Sequence, residues 1–440
     1  MQLLKSQGHG FPRSNNIEFI DLDAGIRKFL HNRPRSSGTV RSKRNLSLPT
    51  ITHRIDKIGG ALLYPCTIKE DAIEIRDDVF DVGKGLHKKD QMIRKITESA
   101  IRYTPAMSAT ARSTPNIALI KYWGNRNNGL RLPAADSVSM TLDTPSVEIT
   151  VDHADTLSVR SFEPDGAEKM LKEKDVVRFG RHLELTREYL GMIGASTAVP
   201  SSMSITVRSH IPPAIGLASS AAVFSCLAKA YAGLIAGSVA LTDAQISVIA
   251  RLGSGSAARS IFGGYSALIA GKGDAIDSSQ VIQIADENHW LLHDIVIVPS
   301  REEKKIGSTE GHELAWSSPL YKARLETMPR RNKECCDAIL QKDFEKLQRV
   351  AEEDSLDMHR VMETSTPPLK YLSDATHRII RDVEQLRTSD HLPVLYTMDA
   401  GPTVHLICPE EAVKTVREFA GRQKDCTIFE AKTGNGTILL

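Results

Sequence analysis

Hydrophobic and polar positions keep two rhythms along this chain. Alternating runs predict strands within Ala109–Tyr122 and over Ser137–Leu142, Val147–Val151 and Met203–Arg208, because successive side chains of a strand face opposite ways. Apolar residues spaced three and four apart predict helices over Asp175–Met192, Ser219–Leu234 and Asp243–Leu252. Strands are then predicted at Gly263–Ala270 and Asp294–Pro299, and long helices over Lys322–Lys342, Phe344–Met358 and Tyr371–Arg387. The chain closes with strands Val394–Asp399 and Val404–Cys408, a helix over Pro409–Phe419 and a short last strand. This interleaving predicts an α+β fold in two layers.

The first 105 residues read differently. Residues 1–48 are polar and carry a basic cluster from Arg27 to Arg44, the pattern of a flexible basic arm. Residues 49–105 read as a more folded extension of unassigned role. Ala61–Tyr64 and Ala72–Ile75 are its strand candidates, and Asp90–Tyr103 is an amphipathic helix candidate.

Length and charge narrow the picture only a little. A chain of 440 residues predicts two domains or more. A net charge of +2 points to neither nucleic acid nor membrane as a partner. The six cysteines have no metal-ligand spacing, so no metal site is expected among them, and free thiols in a reducing cytoplasm are. No signal peptide is expected. The weakly polar run Ile211–Ala240 is broken by Pro212, Pro213 and Lys229, which predicts a loop and a buried helix instead of a membrane span.

That loop carries the first candidate chemistry. In Pro212-Pro213-Ala214-Ile215-Gly216-Leu217-Ala218-Ser219-Ser220, Gly216 permits close backbone approach, and the following helix offers unpaired N–H groups and the positive end of its dipole. Gly216, Ala218, Ser219 and Ser220 are therefore candidate phosphate or nucleotide ligands. A capped helix packed through its glycine and alanines fits the same residues equally well.

The loop resembles the phosphate-binding loop of the GHMP kinase superfamily. More narrowly, Asn116-Ile117-Ala118-Leu119-Ile120-Lys121-Tyr122-Trp123-Gly124 and Gly253-Ser254-Gly255-Ser256-Ala257-Ala258-Arg259 resemble words of the diphosphomevalonate decarboxylase family. Gly307-Ser308-Thr309 and Met398-Asp399-Ala400-Gly401-Pro402 follow in the family's order. The resemblance implies a two-domain GHMP-type fold, here over residues 106–290 and 291–440, with the N-terminal extension added. It also implies a cleft where ATP phosphorylates the tertiary 3-hydroxyl of a phosphorylated mevalonate, after which phosphate and CO2 leave.

By the same resemblance Asp399 and Arg259 are the catalytic pair, the arginine facing the substrate carboxylate and Asp399. Asn116, Tyr122, Asn125, Ser254, Ser256 and Ser308 are substrate-binding, and Lys121 is a phosphate ligand or else solvated. Trp123 reads as core, and His210 and His405 as structural.

Two positions depart from the family. Asn125 stands where the family has a lysine that grips the 5-diphosphate, and Thr403 where it usually has asparagine. A lost charge-assisted contact is worth roughly 1.5–3 kcal/mol. The expected substrate is therefore mevalonate 5-phosphate or 3,5-bisphosphate in preference to the 5-diphosphate. ATP with Mg2+ is expected as co-substrate wherever the substrate lacks a 3-phosphate. A homodimer is allowed. The alternatives are the ATP-dependent diphosphate enzyme and a 3-kinase that does not decarboxylate.

Overall fold

The computed structural model describes residues 66–69, 72–75, 107–195, 199–211, 219–299 and 307–440. The chain divides into Met1–Lys95 and Ile96–Leu440. Of the first unit only an antiparallel hairpin is described, Cys66–Lys69 paired with Ala72–Ile75. The expected arm, the Ala61–Tyr64 strand and the Asp90–Tyr103 helix lie outside the described residues. Residues 96–440 are one unit, so the two expected halves are lobes of a single body.

The first lobe packs helices on sheets. A six-stranded sheet has the order Glu168–Lys169, Ser158–Phe162, Met203–Ser209, Val147–His153, Ser108–Ser113 and Ile438–Leu439. Alternation sets its register: Ile205 opposes Val151 and Val207 opposes Ile149, all four buried. A four-stranded sheet runs Gln280–Ala285, Tyr265–Ile269, Ser137–Thr141 and Asn116–Ile120. Its last two strands are buried at every position.

Helices α1 (Glu173–Met192), α2 (Ser219–Ile235) and α3 (Asp243–Gly253) complete this lobe. Helix α2 is buried on most of its circumference, in keeping with its run of alanines and leucines. Thr242 and Gln245 start α3 with a reciprocal capping box.

The second lobe has a four-stranded sheet in the order Leu395–Thr397, Val404–Pro409, Leu292–Val298 and Thr427–Lys432. With it go α4 (Ser308–Leu314), α5 (Tyr321–Gln341), α6 (Phe344–Glu363), α7 (Asp374–Asp390) and α8 (Val413–Gly421). A small separate core joins Trp123 of the first lobe to Ala315, Tyr321, Met358, Val361 and Ala400 of the second. His405 is structural here in the strict sense, buried and bonded to Asp294 at 2.8 Å within this sheet. Among the described residues no helix is long and apolar enough to cross a membrane.

Candidate active site

The site begins where the buried strand Asn116–Ile120 ends, at Lys121. Both main-chain groups of Lys121 are fixed by ions of the second lobe. Its N–H donates to Asp354 Oδ2 at 2.6 Å, and its carbonyl accepts from Arg324 Nη2 at 3.0 Å. Arg324 and Asp354, almost wholly buried, pair with each other at 3.0 Å, and Arg324 and Arg331 also reach Asp357. Such a pair is costly to bury and costlier to break, so it holds Lys121 in one place.

The Lys121 side chain then runs the other way. Only 1% exposed, its ammonium donates to Asp399 Oδ1 at 2.7 Å. Lys121 is therefore not solvated; its ammonium is the counter-ion of Asp399 in this structure. Asp399 itself sits in the turn after Leu395–Thr397. Ser355 on α6 tethers that turn by accepting the Met398 N–H at 3.0 Å, and Asp399 keeps a partly exposed carboxylate.

Arg259 lies on the 3-10 turn Gly255–Ile261 and is 3% exposed. Its Nη1 donates to Ser137 Oγ at 2.8 Å and its Nε to Asn116 Oδ1 at 3.3 Å. Asn116 in turn donates to the Ser256 carbonyl at 3.0 Å and to Ser260 Oγ at 2.8 Å. The Asn116 amide thus braces the guanidinium. Burial pulls Arg259 down to about 10, while the Asp399 charge works to raise it. It remains a cation at neutral pH.

The Tyr122 hydroxyl donates to Asn125 Oδ1, and the Asn125 amide donates to Asn128 Oδ1 at 3.0 Å. Asn125 therefore shapes the wall as well as lining it. The Tyr122 ring stacks on His312 at 4.3 Å. Burial pushes His312 down to about 3, and its Nδ1 accepts the Gly124 N–H at 2.9 Å, so the ring is neutral. Gly124, at φ 86°, and Gly255 are required here: a Cβ would overlap Tyr321 at the first and the Tyr122 ring at the second. Trp123 is buried core, as expected, yet its ring also borders the cleft.

Asp399, Arg259, Lys121, Asn116, Tyr122, Asn125, Ser219, Ser220, Ser254, Ser256, Ser308 and Thr403 line one cleft of about 800 Å³. That is room for a small metabolite with a nucleotide. Ser220, Ser254 and Ser256 form a hydroxyl chain with links of 3.1 and 3.2 Å. Ser308 opens α4 on the opposite rim, exposed. Gly216 and Ala218 lie outside the described residues; Ser219 and Ser220 open α2, whose first turn holds no acidic side chain to compete with a phosphate.

Sequence reasoning missed Arg131, Arg178, His312 and the Arg324–Asp354 pair. The first three also line the cleft. The available signal was a charge set among apolar neighbours: Arg131 between Leu130 and Leu132, and Arg178 between Val177 and Phe179.

Diphosphomevalonate decarboxylase of Ganoderma lucidum is 33% identical over 328 residues, spanning 71% of this chain and 80% of that protein. The chain belongs to the diphosphomevalonate decarboxylase family. Residues 113–280 match the family's diphosphomevalonate decarboxylase-like N-terminal domain, and residues 294–430 its mevalonate 5-diphosphate decarboxylase C-terminal domain. Family structures share the fold. The mevalonate diphosphate decarboxylase of Staphylococcus aureus superposes with a TM-score of 0.67 at 28% identity, covering 76% of this chain and 98% of that one. A relative solved with MVAPP, AMPPCP and magnesium gives 0.67 at 30% identity, covering 76% and 99%. The decarboxylase-family domains begin at residue 113, so residues 1–105 lie outside them.

Proposed function

We propose that this chain is a carboxy-lyase acting on a 5-phosphorylated mevalonate, with release of CO2 and formation of an isopentenyl phosphate. The observation that carries the reading is Asp399, held by Lys121 at 2.7 Å, sharing a cleft with the buried cation Arg259.

The chemistry asks for these groups. A tertiary hydroxyl leaves poorly until it is phosphorylated. Asp399 is placed to orient the 3-hydroxyl and accept its proton. Arg259 holds the substrate carboxylate in the geometry in which the C1–C2 bonding pair becomes the C2=C3 double bond as the C3–O bond breaks. The serine hydroxyls and Ser308 are donors for the departing phosphate. ATP with Mg2+ supplies the 3-phosphoryl group where the substrate lacks one. Ser219 and Ser220, at a helix start free of acidic residues, suit its phosphates.

Taken alone, Asn125 favours a 5-monophosphate or 3,5-bisphosphate. Arg131 and Arg178 remove the premise, because they return two cations to the same cleft. The relatives named above are diphosphate enzymes, and the charge balance suits a 5-diphosphate here as well.

The test is incubation of the protein with mevalonate 5-phosphate, 5-diphosphate and 3,5-bisphosphate, each with and without MgATP, with CO2 as readout. Release that requires MgATP with the first two substrates is the expected result. A phosphorylated product without CO2 would make the chain a kinase, and no turnover of any substrate would reject the assignment.

A further inference from the structure

Arg131 is in an unusual position for a charged residue. It sits at φ 51°, a conformation that costs an ordinary residue about 1 kcal/mol or more. It precedes the short strand Leu132–Pro133, which pairs with Asn125–Asn127 in a two-stranded ribbon, Asn125 opposite Pro133. The position where the family carries its lysine is thus on one arm of the ribbon, and Arg131 ends the turn that leads into the other.

The ribbon is pinned from below. The buried guanidinium of Arg251 donates to the Leu130 carbonyl, and the Leu130 N–H donates to Asn127 Oδ1 at 3.0 Å.

The cation has no ion-pair partner among the described residues; Glu313 supports its charge only from beyond ion-pair distance. Among the described residues Arg131 makes one side-chain hydrogen bond, from Nε to the Leu252 carbonyl at 3.1 Å, and no ion pair is formed. Its neighbour Arg126 differs: that guanidinium is spent on the carbonyls of Pro133 and Gly273 and on Ser278. Arg131 instead lines the cleft with Arg178; burial, and then the Arg131 charge, draw Arg178 down to about 10 against the support of Asp175. Two half-buried cations at a cleft wall, neither of them in an ion pair, are poised for a polyanion.

We propose that Arg131 is the specificity-determining cation for the terminal phosphate of a 5-diphosphate, supplying across the ribbon the charge that Asn125 gives up. The inference rests on the proposed decarboxylase reading and fixes its substrate class. A guanidinium offers parallel donors to a phosphate where a lysine offers one point charge.

The experiment compares kcat/KM for mevalonate 5-diphosphate and mevalonate 5-phosphate in the wild type, Arg131→Gln, Arg131→Lys and the double variant Arg131→Gln with Asn125→Lys. The wild type is expected to prefer the diphosphate. Arg131→Gln should cut the diphosphate-to-monophosphate ratio roughly tenfold to a hundredfold, mostly through KM. Arg131→Lys should keep part of the ratio, and the double variant should recover it. A ratio unmoved by Arg131→Gln, or a wild type that prefers the monophosphate, overturns the proposal.

Calorimetric binding of inorganic pyrophosphate to the wild type and to Arg131→Gln separates the two levels of the argument. If no substrate releases CO2, the proposed function falls. A tenfold weaker pyrophosphate affinity in Arg131→Gln would then still support the anion site, and equal affinity would overturn it.

Discussion

The end of α3 and the 3-10 turn that follows it each bury an arginine, and the two have opposite uses. Arg251 is fully buried, and its donors all go to main-chain carbonyls, those of Leu130, Ile276 and Ser279. Arg259 is buried almost as deeply, yet its bonds go to two side chains, Asn116 of the cleft wall and the buried Ser137, and Asp399 is the charge that chiefly supports it. Burial draws both down to about 10. Equal desolvation with unequal partners shows that burial alone does not mark a functional arginine. What marks it is a guanidinium whose remaining partner must come from a ligand.

The largest expected effect is on that contrast. Arg259→Gln should lower kcat on the order of 10²-fold to 10³-fold with little change in unfolding midpoint, measured by steady-state CO2 release and urea titration. Arg251→Met should do the reverse. It leaves three buried carbonyls without their donor, so the protein should lose about 3 kcal/mol of stability while kcat per folded molecule changes less than about tenfold. If both variants lose activity and stability alike, the distinction fails.

Lys121 belongs to both kinds of environment at once. Its main chain is locked by Arg324 and Asp354, and its ammonium serves Asp399. Lys121→Met should lower kcat about 10²-fold, and Lys121→Arg by less, with substrate KM nearly constant for both; a rise in KM alone would return Lys121 to the role of phosphate ligand.

The smallest effect concerns pH. His182 is held down to about 4, and His312 and His359 to about 3, each mainly by burial. Above their ordinary value of 6.5 these rings are neutral in both folded and unfolded chains, and their full contribution to stability is present. As pH falls below 6.5 the unfolded chain binds protons that the folded one refuses, so stability drops progressively towards pH 3–4. Between pH 7.5 and 5.5 each histidine should cost about 1 kcal/mol, and His359→Gln should remove its share from urea curves at the two pH values.

The secondary structure was readable wherever one face of an element is wet. The strand Met203–Ser209 and helix α1 fall within two residues of expectation because their periodicity records a core side and a solvent side. The 3-10 turn that carries Arg259 was not readable, since its glycines, serines and alanines have no 3.6-residue period. The proposed reactive pair, Asp399 and Arg259, comes from sequence words and not from pattern. The role of Lys121 was hidden because its partners, Asp354 and Asp399, lie more than two hundred residues away. The charge lost at Asn125 was legible, whereas its return through Arg131 required the pairing of two short strands that composition does not announce.

The most direct measurement is single-turnover CO2 release from carboxyl-labelled mevalonate 5-diphosphate with MgATP, comparing the wild type with Asp399→Asn. The account predicts prompt CO2 from the wild type, and a rate at least about 10²-fold lower for the variant with substrate affinity kept within a few fold. Equal rates from the two proteins, or no CO2 from the wild type, would contradict it.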